Sequence, residues 1–159
     1  MNEKLVIKNE FMLQAIEEAQ KAKEADEVPV GAVIVKNDTV IARAHNLVET
    51  RKDPSAHAEM LVLKKAAEIT GGKWLSDCVL YVTLEPCAMC TGAILNFRIG
   101  ALAFGAFDPA AGCCISKSTL LNGKLNHSVP FLGGIEQEKC AELLSSYFSG
   151  KRCSLDKKD

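Results

Sequence analysis

The segment from Cys78 to Ile94, "CVLYVTLEPCAMCTGAI", constrains the fold more than any other part of the chain. Its first seven residues form an unbroken run with strand composition. Such a run predicts a strand that is covered on both faces, because a half-solvated strand would alternate apolar and polar residues. The residues after this run predict a helix that begins near Pro86 and ends near Arg98, before Gly100. A covered strand requires packing layers on both sides of its sheet.

The flanking sequence predicts further helices and strands around this segment. Apolar residues recur on one helical face from Glu10 to Ala25. The runs "VGAVIV" and "TVIARAHN" predict a hairpin that turns at Asn37-Asp38. The other predicted elements are a helix over "AHAEMLVLKKAAEI" with Asp53-Pro54-Ser55 at its start and Gly71-Gly72 at its end, a strand over "ALAFGAF", a short helix from Lys117 to Leu121, a strand from Val129 to Leu132, and a last amphipathic helix carrying Cys140, Leu143, Leu144, Tyr147 and Phe148.

Strands that alternate with helices after an initial hairpin predict one mixed sheet between helical layers. The fold class is therefore α/β, a three-layer α/β/α sandwich with a central mixed sheet of five strands. The 159 residues suit a single domain, residues 1–159, with a core over about residues 8–152. Residues 153–159 are expected to form a mobile tail.

Composition narrows the function classes. The formal net charge is −1, so no global positive field marks the chain as a nucleic-acid binder, although a local basic patch is compatible with that sum. The start "MNEKLVIKNE" lacks the apolar core of a signal peptide, and "VPVGAVIV" is too short to span a membrane. We expect a cytoplasmic protein with no membrane association. Seven cysteines, an odd number, argue against a disulfide framework in that compartment.

Cys87 and Cys90 form a C-x-x-C pair, which has three interpretations. The pair can be a redox dithiol, half of a structural zinc site, or two ligands of a catalytic metal. A zinc ribbon needs a second such pair, and the adjacent Cys113-Cys114 do not have that spacing. The catalytic interpretation needs at least one more ligand and an open coordination position.

His57 and Glu59 supply what the catalytic interpretation lacks. His57 and the two cysteines lie at the predicted starts of two helices, at the edge of the sheet where open α/β folds bind their ligands. One imidazole and two thiolates suit a tetrahedral Zn²⁺ with water in the fourth position. Glu59 can then hold that water and move its proton. H-x-E followed by P-C-x-x-C is the signature of zinc nucleobase deaminases. A purely structural zinc site is the alternative.

The chain resembles the bacterial tRNA-specific adenosine deaminases of the cytidine-deaminase-like superfamily. "TLEPCAMCTGAI" is similar to the superfamily as a whole, and "AHAE", "FGAFDP" and the final aromatic helix ending "SYFSGKR" are similar to the tRNA branch. Further similarity lies in "EVPVGAVIV", "HNLVETRKDPSAHAEM" and "LNH", and it extends from about Phe11 to Arg152.

The resemblance implies one zinc ion per chain, bound by His57, Cys87 and Cys90, with Glu59 as the catalytic proton carrier. It also implies substrate contacts by Asn46, Asp108, Tyr147, Phe148 and Arg152. The residues alone favour a turn role for Asn46 and a core position for Tyr147 and Phe148. They are also compatible with a turn role for Asp108 and with a solvated helix end at Arg152. Many relatives carry a lysine after Asp108-Pro109, where this chain has Ala110, so the resemblance implies one phosphate contact fewer in that loop.

The implied reaction is the hydrolytic deamination of adenosine to inosine at the wobble position of a tRNA anticodon. The implied partners are the anticodon stem-loop and a second copy of the chain, without a nucleotide cofactor. Two alternatives remain open at the level of sequence. One is a deaminase of free guanine, cytosine or a nucleoside with the same zinc and glutamate. The other is a non-enzymatic RNA-binding module stabilised by zinc.

Overall fold

A computed structural model describes residues 6–122, 125 and 127–156. Helices and strands alternate along most of this chain. In chain order they are α1 (Asn9–Glu24), β1 (Gly31–Lys36), β2 (Thr39–His45), α2 (Val48–Arg51), α3 (Ala58–Thr70), β3 (Cys78–Leu84), α4 (Ala88–Asn96), β4 (Ala101–Ala106), β5 (Phe131–Leu132) and α5 (Gln137–Asp156).

The five strands form one mixed sheet in the order β2-β1-β3-β4-β5. Strand β1 pairs antiparallel with both β2 and β3, and β3, β4 and β5 are parallel to one another. The β1–β2 connection turns at Asn37 and Asp38, whose φ angles of 50° and 57° are those of a tight hairpin turn. The predicted hairpin and the mixed five-stranded sheet are confirmed.

Helices cover both faces of the sheet. Residues of β1 and β3 alternate between the two faces, so Ile34 and Leu80 pack in one apolar cluster with α3 and α4. Val33 and Tyr81 pack in the other cluster, with α1 and Cys140 of α5. Strand β3 is buried along almost its whole length, as its apolar composition predicts. The three-layer α/β/α sandwich is therefore confirmed.

Two expectations about local structure are wrong: the short helix at residues 117–121, and the start of α3 directly at Asp53-Pro54-Ser55. Residues 117–121 form turns and bends instead of a helix, because their amides bond to distant carbonyls: Lys117 N–H donates to Gly112 O and Leu120 N–H to Cys113 O. The Asp53 carboxylate accepts hydrogen bonds from the backbone and hydroxyl of Ser55 and so caps a turn. Helix α3 begins after this turn, with His57 at its N-cap position.

Helix α5 continues to Asp156 and so includes the first residues of the segment predicted to be a tail. The rest of that segment, residues 157–159, lies outside the described residues, as does Asn126 of the "LNH" segment. Among the helices of the described residues, none is both long enough and apolar enough to cross a membrane.

Candidate metal centre and adjoining pocket

Two helix starts bring the predicted metal ligands together. His57 occupies the N-cap position of α3 and Cys87 that of α4, and both have extended backbone angles. Cys90 lies one turn into α4 and is fully buried. Cys87 follows β3 after only two residues, so the edge of the sheet fixes the start of α4 and with it both thiols. The sequence prediction that both helix starts meet at this edge is confirmed.

The three donor atoms have the spacing that a tetrahedral zinc ion requires. His57 Nδ1 lies 3.7 Å from Cys87 Sγ and 3.4 Å from Cys90 Sγ. All three ligand atoms lie within 4.8 Å of one another. Zn–S bonds of about 2.3 Å and Zn–N bonds of about 2.0–2.1 Å at tetrahedral angles separate nitrogen from sulfur by roughly 3.5–3.6 Å. One imidazole and two thiols thus fit zinc in both chemistry and spacing.

The pKa values of the two thiols are shifted in opposite directions. A hydrogen bond from Cys90 is the largest influence on Cys87 and, with the hydrogen bond to His57, lowers the pKa of its thiol to about 4. The same Cys87–Cys90 bond, followed by burial, raises the pKa of Cys90. The hydrogen bond with Cys87 also raises the pKa of His57. The lowered pKa of Cys87 favours its thiolate, which is the form that binds metal.

Glu59 lies beside this cluster in the first turn of α3 and is 4% exposed. Burial is the main reason that the pKa of its carboxyl is raised, although a hydrogen bond with Cys90 acts in the opposite direction. Its carboxyl group therefore faces the metal ligands from the helix that also carries His57. His57 and Glu59 are two residues apart, and their side chains converge because α3 begins between them.

A pocket with a volume of about 290 Å³ opens above the cluster. Its lining includes four carboxylates and, among the described residues, no lysine or arginine. The remaining wall is largely apolar. The lining residues are Val28, Val30, Asn46, Val48, Glu49, His57, Ala58, Glu59, Leu84, Glu85, Cys87, Asp108 and Ala111. Such a pocket suits a flat, neutral ligand with a few hydrogen-bonding groups and not a phosphate.

Asn46 follows β2 and is 7% exposed. Its Nδ2 donates a long hydrogen bond of 3.4 Å to Val28 O. Its Oδ1 is the buried side-chain polar atom that, among the described residues, has no hydrogen-bond partner. Because buried polar atoms are rarely left unpaired, this oxygen is available to accept a hydrogen bond from a ligand.

Asp108 lies in the pocket wall but also has a local structural role. Its Oδ1 accepts hydrogen bonds from Ala110 N–H at 3.0 Å and Ala111 N–H at 3.2 Å. The turn role of Asp108 is confirmed, and the turn that it caps is part of the pocket lining. A contact between Asp108 and a substrate stays a prediction. Ala110, where many relatives carry lysine, is exposed.

Helix α5 places its site candidates outside the pocket. Phe148 and Arg152 are exposed and Tyr147 is half-buried, so the reading of both aromatics as core residues is wrong. Tyr147 O–H donates to Asp26 O at 3.4 Å, and Lys151 forms an ion pair with the Asp26 carboxylate at 2.7 Å. These contacts hold the end of α5 against the turn that follows α1.

Sequence reasoning missed two buried carboxylates that shape the pocket. Glu27, fully buried, accepts hydrogen bonds from Glu49 N–H and from the backbone and hydroxyl of Thr50, and so fixes α2. Glu85 accepts hydrogen bonds from the loop that follows β4. A charged residue directly after the apolar run of β3 was a signal for Glu85, whereas Glu27 lies in a charged segment that looks like an ordinary solvated turn.

Comparison with known proteins agrees with this arrangement. Residues 6–106 match the family model of the cytidine and deoxycytidylate deaminase zinc-binding region. The chain is 48% identical over 139 residues to the tRNA-specific adenosine deaminase of Bacillus subtilis, covering 87% of this chain and 86% of the relative. It is 45% identical to the protein of the same name from Aquifex aeolicus, covering 91% and 96%. The chain belongs to the tRNA-specific adenosine deaminase family.

Solved structures place this deaminase chain in the same fold. A structure from a study of A-to-I editing by tRNA:A34 deaminases at the wobble position of transfer RNA superposes with a TM-score of 0.83 and 40% identity. The match covers 86% of this chain and 100% of that one. Guanine deaminase from Bacillus subtilis gives a TM-score of 0.61 at 39% identity, covering 64% and 66%.

Proposed function

We propose that the chain is a zinc-dependent hydrolase that converts adenosine to inosine at the wobble position of a tRNA anticodon. One observation carries the proposal: His57, Cys87 and Cys90 meet at the spacing of three zinc ligands, and the buried carboxyl of Glu59 lies beside them. Membership of the tRNA-specific adenosine deaminase family supports the choice of substrate.

His57 Nδ1 and the thiolates of Cys87 and Cys90 would hold one zinc ion per chain. When bound, zinc supplies a water that loses its proton near neutral pH and leaves one coordination position open to that water. The three protein ligands and this water would complete a tetrahedral set, so Glu59 is not needed as a ligand. The carboxyl of Glu59 is thus available for proton transfer.

Glu59 carries the protons of the reaction. Its carboxylate accepts a proton from the attacking water and delivers it to the purine ring nitrogen beside the reacting carbon. It then takes the remaining proton from the hydroxyl group added at that carbon and passes it to the departing amine, so the carbon–nitrogen bond breaks, the carbonyl forms and ammonia leaves. Adenosine and water thereby become inosine and ammonia. Burial of Glu59 keeps bulk water from competing for these protons.

The pocket selects the base. The orphaned Oδ1 of Asn46 accepts a hydrogen bond from the bound nucleotide, and apolar neighbours such as Val30 and Leu84 pack against its ring. The target base must leave its stack to enter, which costs a few kcal/mol and least in a loop. An anticodon loop presents such unstacked bases. Asp108, another residue of the pocket lining, contacts the flanking nucleotide.

Phosphates bind outside the pocket, whose described lining has no cationic residue. The exposed Arg152 at the end of α5 is our candidate for a phosphate contact. Contacts of Tyr147 and Lys151 with Asp26 place this helix end next to Glu27, which in turn fixes Glu49 of the pocket wall. Exposed Phe148 and half-buried Tyr147 supply aromatic surface for stacking at the same place.

The active form is a cytoplasmic homodimer. Met89 of α4 and Ile115 of the loop that follows β4 are exposed apolar side chains, and Cys113 N–H donates to Pro86 O, which ties their two segments together beside the metal ligands. Apolar side chains at this edge suit contact with a second copy. Ile115→Asp should convert a dimer to a monomer in light scattering coupled to size exclusion, and an unchanged mass would count against this interface.

The test of the proposed function is substrate choice. The purified zinc-loaded protein is incubated separately with an anticodon stem-loop bearing adenosine at the wobble position, with adenosine, with guanine and with cytosine. Mass spectrometry should detect inosine at that one position of the RNA and ammonia release from no free base. Ammonia from guanine without inosine in the RNA would instead favour a free-base deaminase, the activity named for a structural relative.

A further inference from the structure

Glu85 is a second buried carboxylate of the pocket wall, distinct from Glu59. It follows β3, immediately before Pro86, and is 2% exposed. Its Oε1 accepts hydrogen bonds from Asp108 N–H at 3.1 Å and from the Ser116 hydroxyl. Its Oε2 accepts from three consecutive amides, Cys114 N–H at 3.2 Å, Ile115 N–H at 2.9 Å and Ser116 N–H at 2.9 Å.

All five donors come from one loop, residues 108–116. A carboxylate offers about four lone-pair sites, so five donors leave Glu85 no acceptor position for a substrate or a travelling proton. The loop has no helix or strand of its own to satisfy these amides. Glu85 therefore acts as the acceptor around which the loop is wrapped.

The loop packs on Glu85 too closely to tolerate a larger residue at position 112. A methyl group at Gly112 would lie 2.3 Å from the Glu85 carboxyl carbon and 2.5 Å from each of its oxygens. The loop is further fastened by Cys113 N–H, which donates to Pro86 O at 2.9 Å. The carboxylate thus links the strand that leads to the metal ligands with the loop that carries Asp108 and Ala111 of the pocket wall.

We propose that Glu85 is a positioning residue that holds loop 108–116 in the shape that forms one wall of the substrate pocket, and thereby sets affinity for the RNA. The proposal rests on the deaminase function for its kinetic part and on hydrogen bonds alone for its structural part. The hydrogen bonds of Glu85 described above involve no metal ligand and leave it no acceptor position for a proton of the reaction. Its loss should therefore raise KM more than it lowers kcat.

Glu85→Gln tests this directly. Glutamine keeps the volume but offers a single acceptor oxygen, so its amide group must face either the three amides or Asp108 N–H without accepting their protons. Losing one such hydrogen bond to a charged group corresponds to roughly ten-fold in an equilibrium. We expect KM for the anticodon stem-loop to rise about ten-fold, kcat to change less than about three-fold, and zinc to stay at one per chain.

Amide hydrogen exchange gives a readout that does not depend on activity. In Glu85→Gln, peptides covering residues 108–116 should exchange at least about ten-fold faster, while β3 stays protected. Glu18→Gln is the matched control, because Glu18 is equally buried and bonded to Lys21 and His45 but does not line the pocket. It should leave both the exchange of this loop and KM unchanged.

Gly112→Ala disturbs the same contact from the loop side and should reproduce the KM effect and the faster exchange. If Glu85→Gln does not fold, this variant carries the test alone. Unchanged loop exchange with unchanged KM, in either folded variant, would overturn the proposal, as would loss of zinc or of kcat at constant KM. Faster loop exchange in a protein whose wild type forms no inosine would instead refute the proposed function and leave the structural role of Glu85 standing.

Discussion

Replacing Asn46 with alanine should leave the stability of the free protein nearly unchanged but lower its activity strongly. In the free protein the buried Oδ1 has no partner, and Nδ2 makes one long hydrogen bond to Val28 O. Removing the amide therefore removes a polar atom that is buried without compensation, together with one weak bond. In the complex, by contrast, the same Oδ1 accepts a hydrogen bond from the nucleotide.

The magnitudes follow from these contacts. A net hydrogen bond contributes about 0.5–1.5 kcal/mol, and burying an unpaired polar group costs about 1–3 kcal/mol, so the two effects nearly cancel in the free protein. Asn46→Ala should thus change the free energy of unfolding by less than about 1 kcal/mol. Loss of the nucleotide bond should lower kcat/KM by roughly 10- to 100-fold, equivalent to about 1.4–2.7 kcal/mol of transition-state stabilisation.

Urea unfolding and single-substrate kinetics on the anticodon stem-loop measure the two quantities. Thr83→Val is the matched control, since the buried Thr83 hydroxyl oxygen accepts Gly31 N–H at 3.1 Å, and its loss leaves that amide unpaired. The control should lose about 1–3 kcal/mol of stability with kcat/KM nearly intact when folded. An Asn46→Ala protein destabilised by more than about 2 kcal/mol, or one with full activity, would refute the assignment of Oδ1 to the ligand.

Three further predictions concern the frame of the pocket. Burial acts most strongly on Glu27 and raises its pKa, but hydrogen bonds from Thr50 and Glu49 N–H outweigh it and lower the pKa below the ordinary 4.5. Its stabilising effect should be complete above that value and disappear as the pH falls further. Urea midpoints should therefore fall more steeply below about pH 4.5 in wild type than in Glu27→Gln, and parallel curves in that range would contradict this. Gly31→Ala should destabilise the fold by about 1–3 kcal/mol or more, because the new methyl group would lie 2.1 Å from a backbone oxygen of α1. Gly92→Ala in α4, with open space around the new methyl group, should instead stabilise it by up to about 1 kcal/mol, and equal effects in thermal unfolding would contradict the packing.

The metal ligands could be predicted from the sequence because short segments on either side of each ligand determine its position. Cys87 follows a buried, mostly apolar strand after only two residues, and His57 comes directly before an amphipathic helix. Each position is fixed by its own segment. Strands β2 and β3 are both antiparallel to β1 and therefore end at the same edge of the sheet, which brings the segments that follow them together. Ligand type and spacing then specify zinc. The catalytic half of the pocket thus depends on short-range patterns.

The walls of the pocket were not readable because they depend on contacts between segments distant in sequence. Glu85 shapes residues 108–116 through hydrogen bonds that span more than twenty positions. Residues 117–121 form turns instead of the expected helix, because Lys117 N–H and Leu120 N–H donate to carbonyls of that same loop. Glu27 likewise fixes α2, a helix of four residues with no pattern long enough to predict it. Buried carboxylates with distant backbone partners have no periodic signature.

Inosine formation by zinc-loaded Glu59→Gln tests the central claim most directly. The variant keeps His57, Cys87 and Cys90, so elemental analysis should still find one zinc ion per chain. Without a group to transfer protons, inosine formation in the anticodon stem-loop should fall by at least about 10²–10⁴-fold in kcat relative to wild type. A zinc-replete Glu59→Gln protein that forms inosine at the wild-type rate would contradict the account.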